Sequence, residues 1–182
     1  ALNETAISGC ISNIDYLRSI ANSKMFETAK VATKVLDSFD YSPTAFEVVS
    51  PGAYTTVQDF PGRKGYWHIG VPPSGCMDEY AFRLANRAVG NDKAAPGLEL
   101  TLSGPTLLFH HDAIIAVTGG EVDVEVGGRK ADQWKPVHVK KGEKLSIGKL
   151  KSGCRAYVAI RGGIDVCEYL GSRSTFALGN LG

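Results

Sequence analysis

The sequence predicts a mainly β domain with one helix, preceded by a small helical segment. Short β-branched runs separated by Gly or Pro recur from Phe46 onward. A single amphipathic stretch, Met77 to Val89, interrupts them, and the residues before Phe39 carry three- and four-residue apolar spacing instead.

Between Ser12 and Phe39, Ile14, Leu17, Ile20, Phe26, Val31 and Val35 predict one or two short helices. Ser12 or Asn13 caps the first, and a second starts at Ser23. Asp37 to Pro43 is polar and proline-terminated, so a boundary is expected near residues 40 to 46, dividing 1–42 from 43–182. Beyond it, Phe46–Val49, Ala113–Val117, Val122–Val126, Val137–Val139, Lys144–Ile147 and Ala156–Ile160 read as strands. Gly127-Gly128 signals a hairpin leading toward Val137–Val139, and Lys141-Gly142-Glu143 turns the chain again. The Met77–Val89 helix shows a stripe of Tyr80, Ala81, Leu84, Ala85 and Ala88, opened by Ser74 or Asp78 and closed at Gly90. A barrel-like or sandwich sheet accommodates these elements.

Composition narrows the function. The 182 residues are 43% hydrophobic and 21% charged, with a formal net charge of +1, which argues against disorder. No basic block offers a footprint for nucleic acid or an anionic membrane, so neither is expected as a partner. No window reaches the roughly 18 to 20 apolar residues of a spanning helix, and Ala1–Cys10 lacks the regions of a signal peptide. A cytoplasmic protein is expected. Cys10, Cys76, Cys154 and Cys167 form no Cys-x-x-Cys pair, and His68, His110, His111 and His138 show no metal-binding interval or triad spacing. Free thiols and no metal site are expected. The start at Ala1 and the stop at Gly182 suggest a piece of a longer chain.

Three stretches carry candidate chemistry. Ser50 to Trp67 joins a strand to a Gly/Pro-rich loop with Gln58, Asp59 and Arg63, groups suited to a planar polar ligand; a rigid turn capped by Asp59 is the plainer alternative. Gly70 to Asp78 runs into the helix, so the amides after Ser74 suit an anionic or carbonyl oxygen, unless Ser74 and Asp78 merely cap. Ile160-Arg161-Gly162-Gly163, with Gly171-Ser172-Arg173-Ser174-Thr175 following, offers an Arg fork beside open backbone, or simply a tight turn with a surface Arg. Glu99, on the apolar run Gly97–Thr101, needs a partner if it points inward.

Taken in order, these motifs resemble a known family. Pro51-Gly52 to Trp67, Val71-Pro72-Pro73-Ser74-Gly75 with Met77-Asp78, Ala81 to Asn86, Leu98-Glu99 to Thr106, and Arg161-Gly162-Gly163-Ile164 to Thr175 are similar to the carboxyltransferase domain of urea carboxylase, the biotin-dependent part of fungal urea amidolyase. The resemblance covers residues 46 to 182; Ser12 to Leu17 and Lys30 to Phe39 resemble the end of a biotin carboxylase domain. Cys76 and Cys167 stand where the family pattern has proline.

The resemblance implies that residues 43–182 form the first of two cyclophilin-like β-barrel lobes, incomplete here. It implies carboxyl transfer from carboxybiotin to urea, giving allophanate. Biotin would ride on a carrier domain, and ATP and magnesium would sit on the biotin carboxylase domain, all outside this chain. The other domains of the polypeptide, including an allophanate hydrolase, would be its partners. On this view Asp59, Asp78 and Arg161 are the catalytic candidates. Gln58, Arg63, Ser74, Gly162, Gly163, Arg173 and Ser174 would bind substrate. Arg161 with the glycine amides, or Arg173, would hold the carboxyl or ureido oxygens; the base would be decarboxylated biotin, Asp78 or Asp59. A carboxyltransferase-like domain of the 5-oxoprolinase kind, or a non-catalytic regulatory module, is the alternative. The segment before residue 40, which neither needs, favours urea carboxylase.

Overall fold

The computed structural model describes residues 14–28, 36, 39 and 46–179. The chain separates into two compact units, Ala1–Ala45 and Phe46–Gly182. In the first, α1 (Ile14–Ala21) is followed by α2 (Lys24–Glu27). The Ser23 hydroxyl donates to Ile20 O at 2.7 Å and accepts from Phe26 N–H at 3.3 Å, so one side chain closes α1 and caps α2. Ser12, Asn13 and residues 40–45 lie outside the described residues.

The second unit is an eight-stranded, antiparallel arrangement: β1 (Phe46–Ser50), β2 (Tyr54–Gln58), β3 (Gly97–Thr101), β4 (Thr106–Phe109), β5 (Ala113–Val126), β6 (Arg129–Ala131), β7 (Val137–Val139) and β8 (Lys144–Ile160). One α-helix, α3 (Glu79–Val89), joins β2 to β3. β1, β4, β8, β3 and β2 lie side by side in that order, while β5 runs along β8 and pairs at its far edge with β6 and β7. This is the mainly β architecture with one helix that the pattern of short runs predicts.

The runs Ala113–Val117 and Val122–Val126 prove to be one strand, as do Lys144–Ile147 and Ala156–Ile160. Glycines bend these strands where the sequence suggests a break. Gly119 sits at φ +92, and a Cβ there would lie 2.7 Å from Arg155 O, so the register slips between Gly119 and Val124 without ending the ladder. Gly127-Gly128 does form a hairpin, but with the short β6, Val126 facing Arg129; β7 pairs instead with Ala113–Ile115. β4 and β6 have no counterpart in the sequence reading.

Side-chain alternation divides the core between two faces. Ile115, Val117, Ala156, Val158 and Ile160 join Leu100, Leu107 and Leu145 on one face. Ala116, Tyr157 and Ala159 point to the other and meet Ala81, Phe82, Ala85 and Val89 of α3. The small Ala116 and Ala159 allow the helix to seat closely, and the Thr118 hydroxyl fixes it by donating to Ala81 O at 2.8 Å. The buried stripe of α3 is therefore Ala81, Phe82, Ala85, Asn86 and Val89, turned from the expected one; Tyr80 is 72% exposed. Among the described residues no helix is long and apolar enough to cross a membrane.

Candidate functional site

Arg63 organises the densest polar cluster. It follows the bend Phe60-Pro61-Gly62 after β2 and is only 1% exposed. Its Nε donates to Tyr169 O at 3.0 Å, Nη1 to Ser74 Oγ at 3.2 Å, and Nη2 to Ser174 O at 2.9 Å and Ser172 O at 3.5 Å. The guanidinium carbon lies 5.4 Å from the Tyr169 ring centre and 5.5 Å from that of Phe176. Arg63 thus ties loop to loop, with four of its five N–H groups on protein oxygens and its guanidinium against two rings; in this geometry it serves as a tie between loops where the sequence suggested a ligand group.

Asp59 completes the cluster. Oδ1 accepts from the hydroxyls of Ser172 at 2.7 Å and Ser174 at 2.6 Å, and Oδ2 from Arg173 N–H at 2.6 Å. Ser174 Oγ also accepts from Asp59 N–H at 2.9 Å. The same two serines give their carbonyls to Arg63, so the charges of Asp59 and Arg63 meet through the 172–174 loop. Asp59 holds one amide rather than the local amides of the plainer alternative, that of Arg173 far along the chain, and so positions Arg173.

The loop entering α3 is gripped from behind. Gly75 N–H donates to Gln58 Oε1 at 2.9 Å, Met77 N–H to Glu99 Oε2 at 2.7 Å, and Asp78 N–H to Tyr157 Oη at 2.7 Å. Gln58 and Glu99 are each 8% exposed, and Gln58 Nε2 also donates to Thr56 Oγ1 at 2.9 Å. Amides expected to receive an anionic ligand are filled by the protein's own side chains. Gln58 holds this loop in place of a ligand. Asp78 is the helix cap, its Oδ1 accepting from Ala81 N–H at 3.0 Å, while the carboxyl group itself stays exposed. Gly62 packs against Ser74 so closely that a Cβ would fall 1.9 Å from Ser74 O.

Burial pushes the Cys76 thiol up to about 12, with the carboxylates of Glu79, Glu99 and Asp59 adding to it. Burial likewise raises the Tyr157 phenol, helped by Glu99. Glu99 has the partner its apolar strand demands: Arg155 Nε lies 3.3 Å from its Oε1.

Arg161, Gly162 and Gly163 stand apart from this cluster. Arg161 Nε donates to Val89 O at 2.9 Å, at the last residue of α3, and Gly162 N–H donates to Asn91 Oδ1 at 2.8 Å. Asp78 caps the opposite end, with about 16 Å of helix between. The expected grouping of Arg161 with Asp59 and Gln58 gives way to a corner that closes the helix. Arg173 is the arginine on the cluster: Nε donates to Val166 O at 3.1 Å, and its terminal nitrogens make no hydrogen bond among the described residues. Tyr157, Arg155, Tyr169 and Phe176 escaped the sequence reading. The signal for Tyr157 was a phenol within an apolar buried run; the others show none.

A cleft of about 430 Å3 lies elsewhere, between β6 and β7, lined by Arg129, Lys130, Lys135 and His138 among others. Its cations are partly matched, Arg129 by Glu143 at 2.8 Å and Lys135 by Asp132 at 3.1 Å. Among the described residues no group of three His, Cys, Asp or Glu side chains offers a metal site.

The family model for the carboxyltransferase domain, subdomains A and B, matches residues 69–182. The chain belongs to the carboxyltransferase domain family. Over all 182 residues it is 69% identical to urea amidolyase from Lachancea kluyveri, covering 10% of that protein. The crystal structure of K. lactis urea amidolyase superposes with a TM-score of 0.94 at 68% identity, over 100% of this chain and 11% of that one. The C-type subunit of 5-oxoprolinase from Escherichia coli is 38% identical over 129 residues, 71% of this chain and 41% of its own length. The carboxyltransferase-domain chain thus spans about a tenth of the length of the urea amidolyases it matches.

Proposed function

We propose that this chain is the first carboxyltransferase lobe of a urea carboxylase within a urea amidolyase, joined to the end of its biotin carboxylase domain, and that it serves carboxyl transfer from carboxybiotin to urea, giving allophanate. The observation that carries this reading is the extent of the match. Similarity to urea amidolyase runs through the whole chain, including Ala1–Ala45, whereas the Escherichia coli 5-oxoprolinase component aligns with only 71% of it. A carboxyltransferase-like protein acting on a cyclic amide has no use for the first unit. A non-catalytic regulatory module has none either.

The donor set fits a carboxylated ureido group: a guanidinium fork at Arg173, whose backbone N–H is held by the half-buried Asp59, and a serine hydroxyl at Ser74, held by the buried Arg63. Carboxybiotin, delivered on a carrier domain after ATP- and magnesium-dependent carboxylation elsewhere in the polypeptide, supplies an activated carboxyl group. Arg173, its backbone fixed by Asp59, binds carboxyl or ureido oxygens through its terminal nitrogens. Ser74 Oγ accepts from Arg63, which leaves its O–H to donate to a substrate oxygen. Urea nitrogen is a very weak acid, so a base must act as the new bond forms. Asp78 is the candidate on this chain, exposed, with only Oδ1 engaged by the helix. Asp59 is spent on the 172–174 loop and is not that base.

The test is ATP turnover by the full-length polypeptide with urea, acetamide or 5-oxoproline as acceptor and avidin as control. Urea-dependent, avidin-sensitive turnover is the expected result. Turnover with 5-oxoproline alone, or turnover indifferent to avidin, overturns the reading.

A further inference from the structure

We propose that Glu99, seated against Arg155, is the positioning residue that sets the Ser74–Asp78 loop for carboxyl transfer; the assignment rests on the function proposed above. Three adjacent strands supply the grip. In the register of β2, β3 and β8, Thr56 lies opposite Glu99 and Glu99 opposite Tyr157. From this row and its neighbour, Gln58, Glu99 and Tyr157 reach the amides of Gly75, Met77 and Asp78. The sheet's register is thereby transferred to the loop.

Glu99 is the charged member and the central one. A carboxylate at 8% exposure is costly to bury unless matched. Here Arg155 Nε at 3.3 Å and the Met77 N–H just before α3 match it. Arg155 Nε is itself buried and has no hydrogen-bond partner among the described residues, so Glu99 compensates its charge and the two hold each other in place. In front of Glu99 the loop carries Ser74, which Arg63 holds from the other side, and Asp78. Glu99 lies behind the loop and acts through it. Removing its carboxylate frees Met77 N–H at the loop's midpoint while Gln58 and Tyr157 still hold its ends.

The experiment uses the full-length polypeptide with Glu99→Ala and Glu99→Gln. Urea-dependent kinetics, urea-independent ATP cleavage with bicarbonate, and hydrogen exchange of peptides covering residues 72–80 and 150–160 are read together. Glu99→Ala is expected to lower kcat/KM for urea by about tenfold or more. It should leave urea-independent ATP cleavage unchanged and speed exchange across 75–78 while the β8 peptide stays protected. Glu99→Gln keeps an oxygen for the Met77 amide and should recover to within about threefold of the unmodified protein. Unchanged kcat/KM for urea, unchanged exchange at 75–78, or equal loss in both variants with β8 deprotected overturns the assignment. If the unmodified polypeptide shows no urea-dependent turnover, the proposed function fails, and the exchange rates still decide whether Glu99 sets the loop.

Discussion

Arg63 is a buried cation whose hydrogen bonds all end on uncharged oxygens: three backbone carbonyls and the Ser74 hydroxyl. Arg63→Met should therefore cost about 3–5 kcal/mol, since it strands buried carbonyls and leaves Asp59 without its indirect counter-charge. Denaturant midpoints measure this, and Arg63→Lys should recover less than half, because an ammonium cannot serve four acceptors in one plane. Cys76 offers a second check. With its thiol pushed up to about 12, its thiolate population at pH 8 falls about a thousandfold below that of an ordinary thiol. Mass spectrometry after brief alkylation at pH 8 should find Cys154 and Cys167, both exposed, modified long before Cys76. Neither feature is visible in spacing. Asp59 and Arg63 look like ligand groups in the sequence because their partners, Ser172 and Ser174, lie more than a hundred residues away.

Among the elements, α3 and the two loops that meet at Gly62 and Ser74 determine where the candidate site lies. Gly62 has φ +79, and any Cβ would overlap the Ser74 carbonyl. Gly62→Ala should cost about 2 kcal/mol or more in denaturant unfolding, by strain and by pushing the Ser74 loop away from Arg63. Phe82 packs edge-on against Tyr157 with ring centres 5.8 Å apart, and Phe82→Ala should cost about 3–5 kcal/mol. The helix itself was legible from its apolar spacing and from Gly90 at its end; of the two caps the sequence offered, Ser74 and Asp78, the structure uses Asp78. Its phase was not: a helix over a sheet is rotated by what the sheet presents, and Ala116 and Ala159 favour Phe82 and Val89 over Tyr80 and Leu84. The long β5 and β8 were read as pairs of short strands for a similar reason. Glycine interrupts a local pattern equally whether it ends a strand or bends one.

In the molecule as a whole, the motifs that carry the family resemblance are largely the residues that bond to one another. Gln58, Asp59, Arg63, Ser74, Ser172 and Ser174 form one network around two loops. The resemblance was therefore legible even though individual roles were not. Arg161, expected at the centre of the site, closes α3 instead, while Arg173, the other arginine the sequence offered, bonds to Asp59 within the cluster. The central claim is that Arg173 and Ser74 present a carboxyl group to urea. It is tested most directly by following radiolabelled bicarbonate in the full-length polypeptide with its allophanate hydrolase inactivated, supplied with ATP and urea, with and without Arg173→Ala. The account predicts label in an acid-labile urea adduct, blocked by avidin and lowered about tenfold or more by Arg173→Ala while label still loads onto biotin. Label that stays on biotin in the presence of urea, or transfer undiminished in Arg173→Ala, would contradict it.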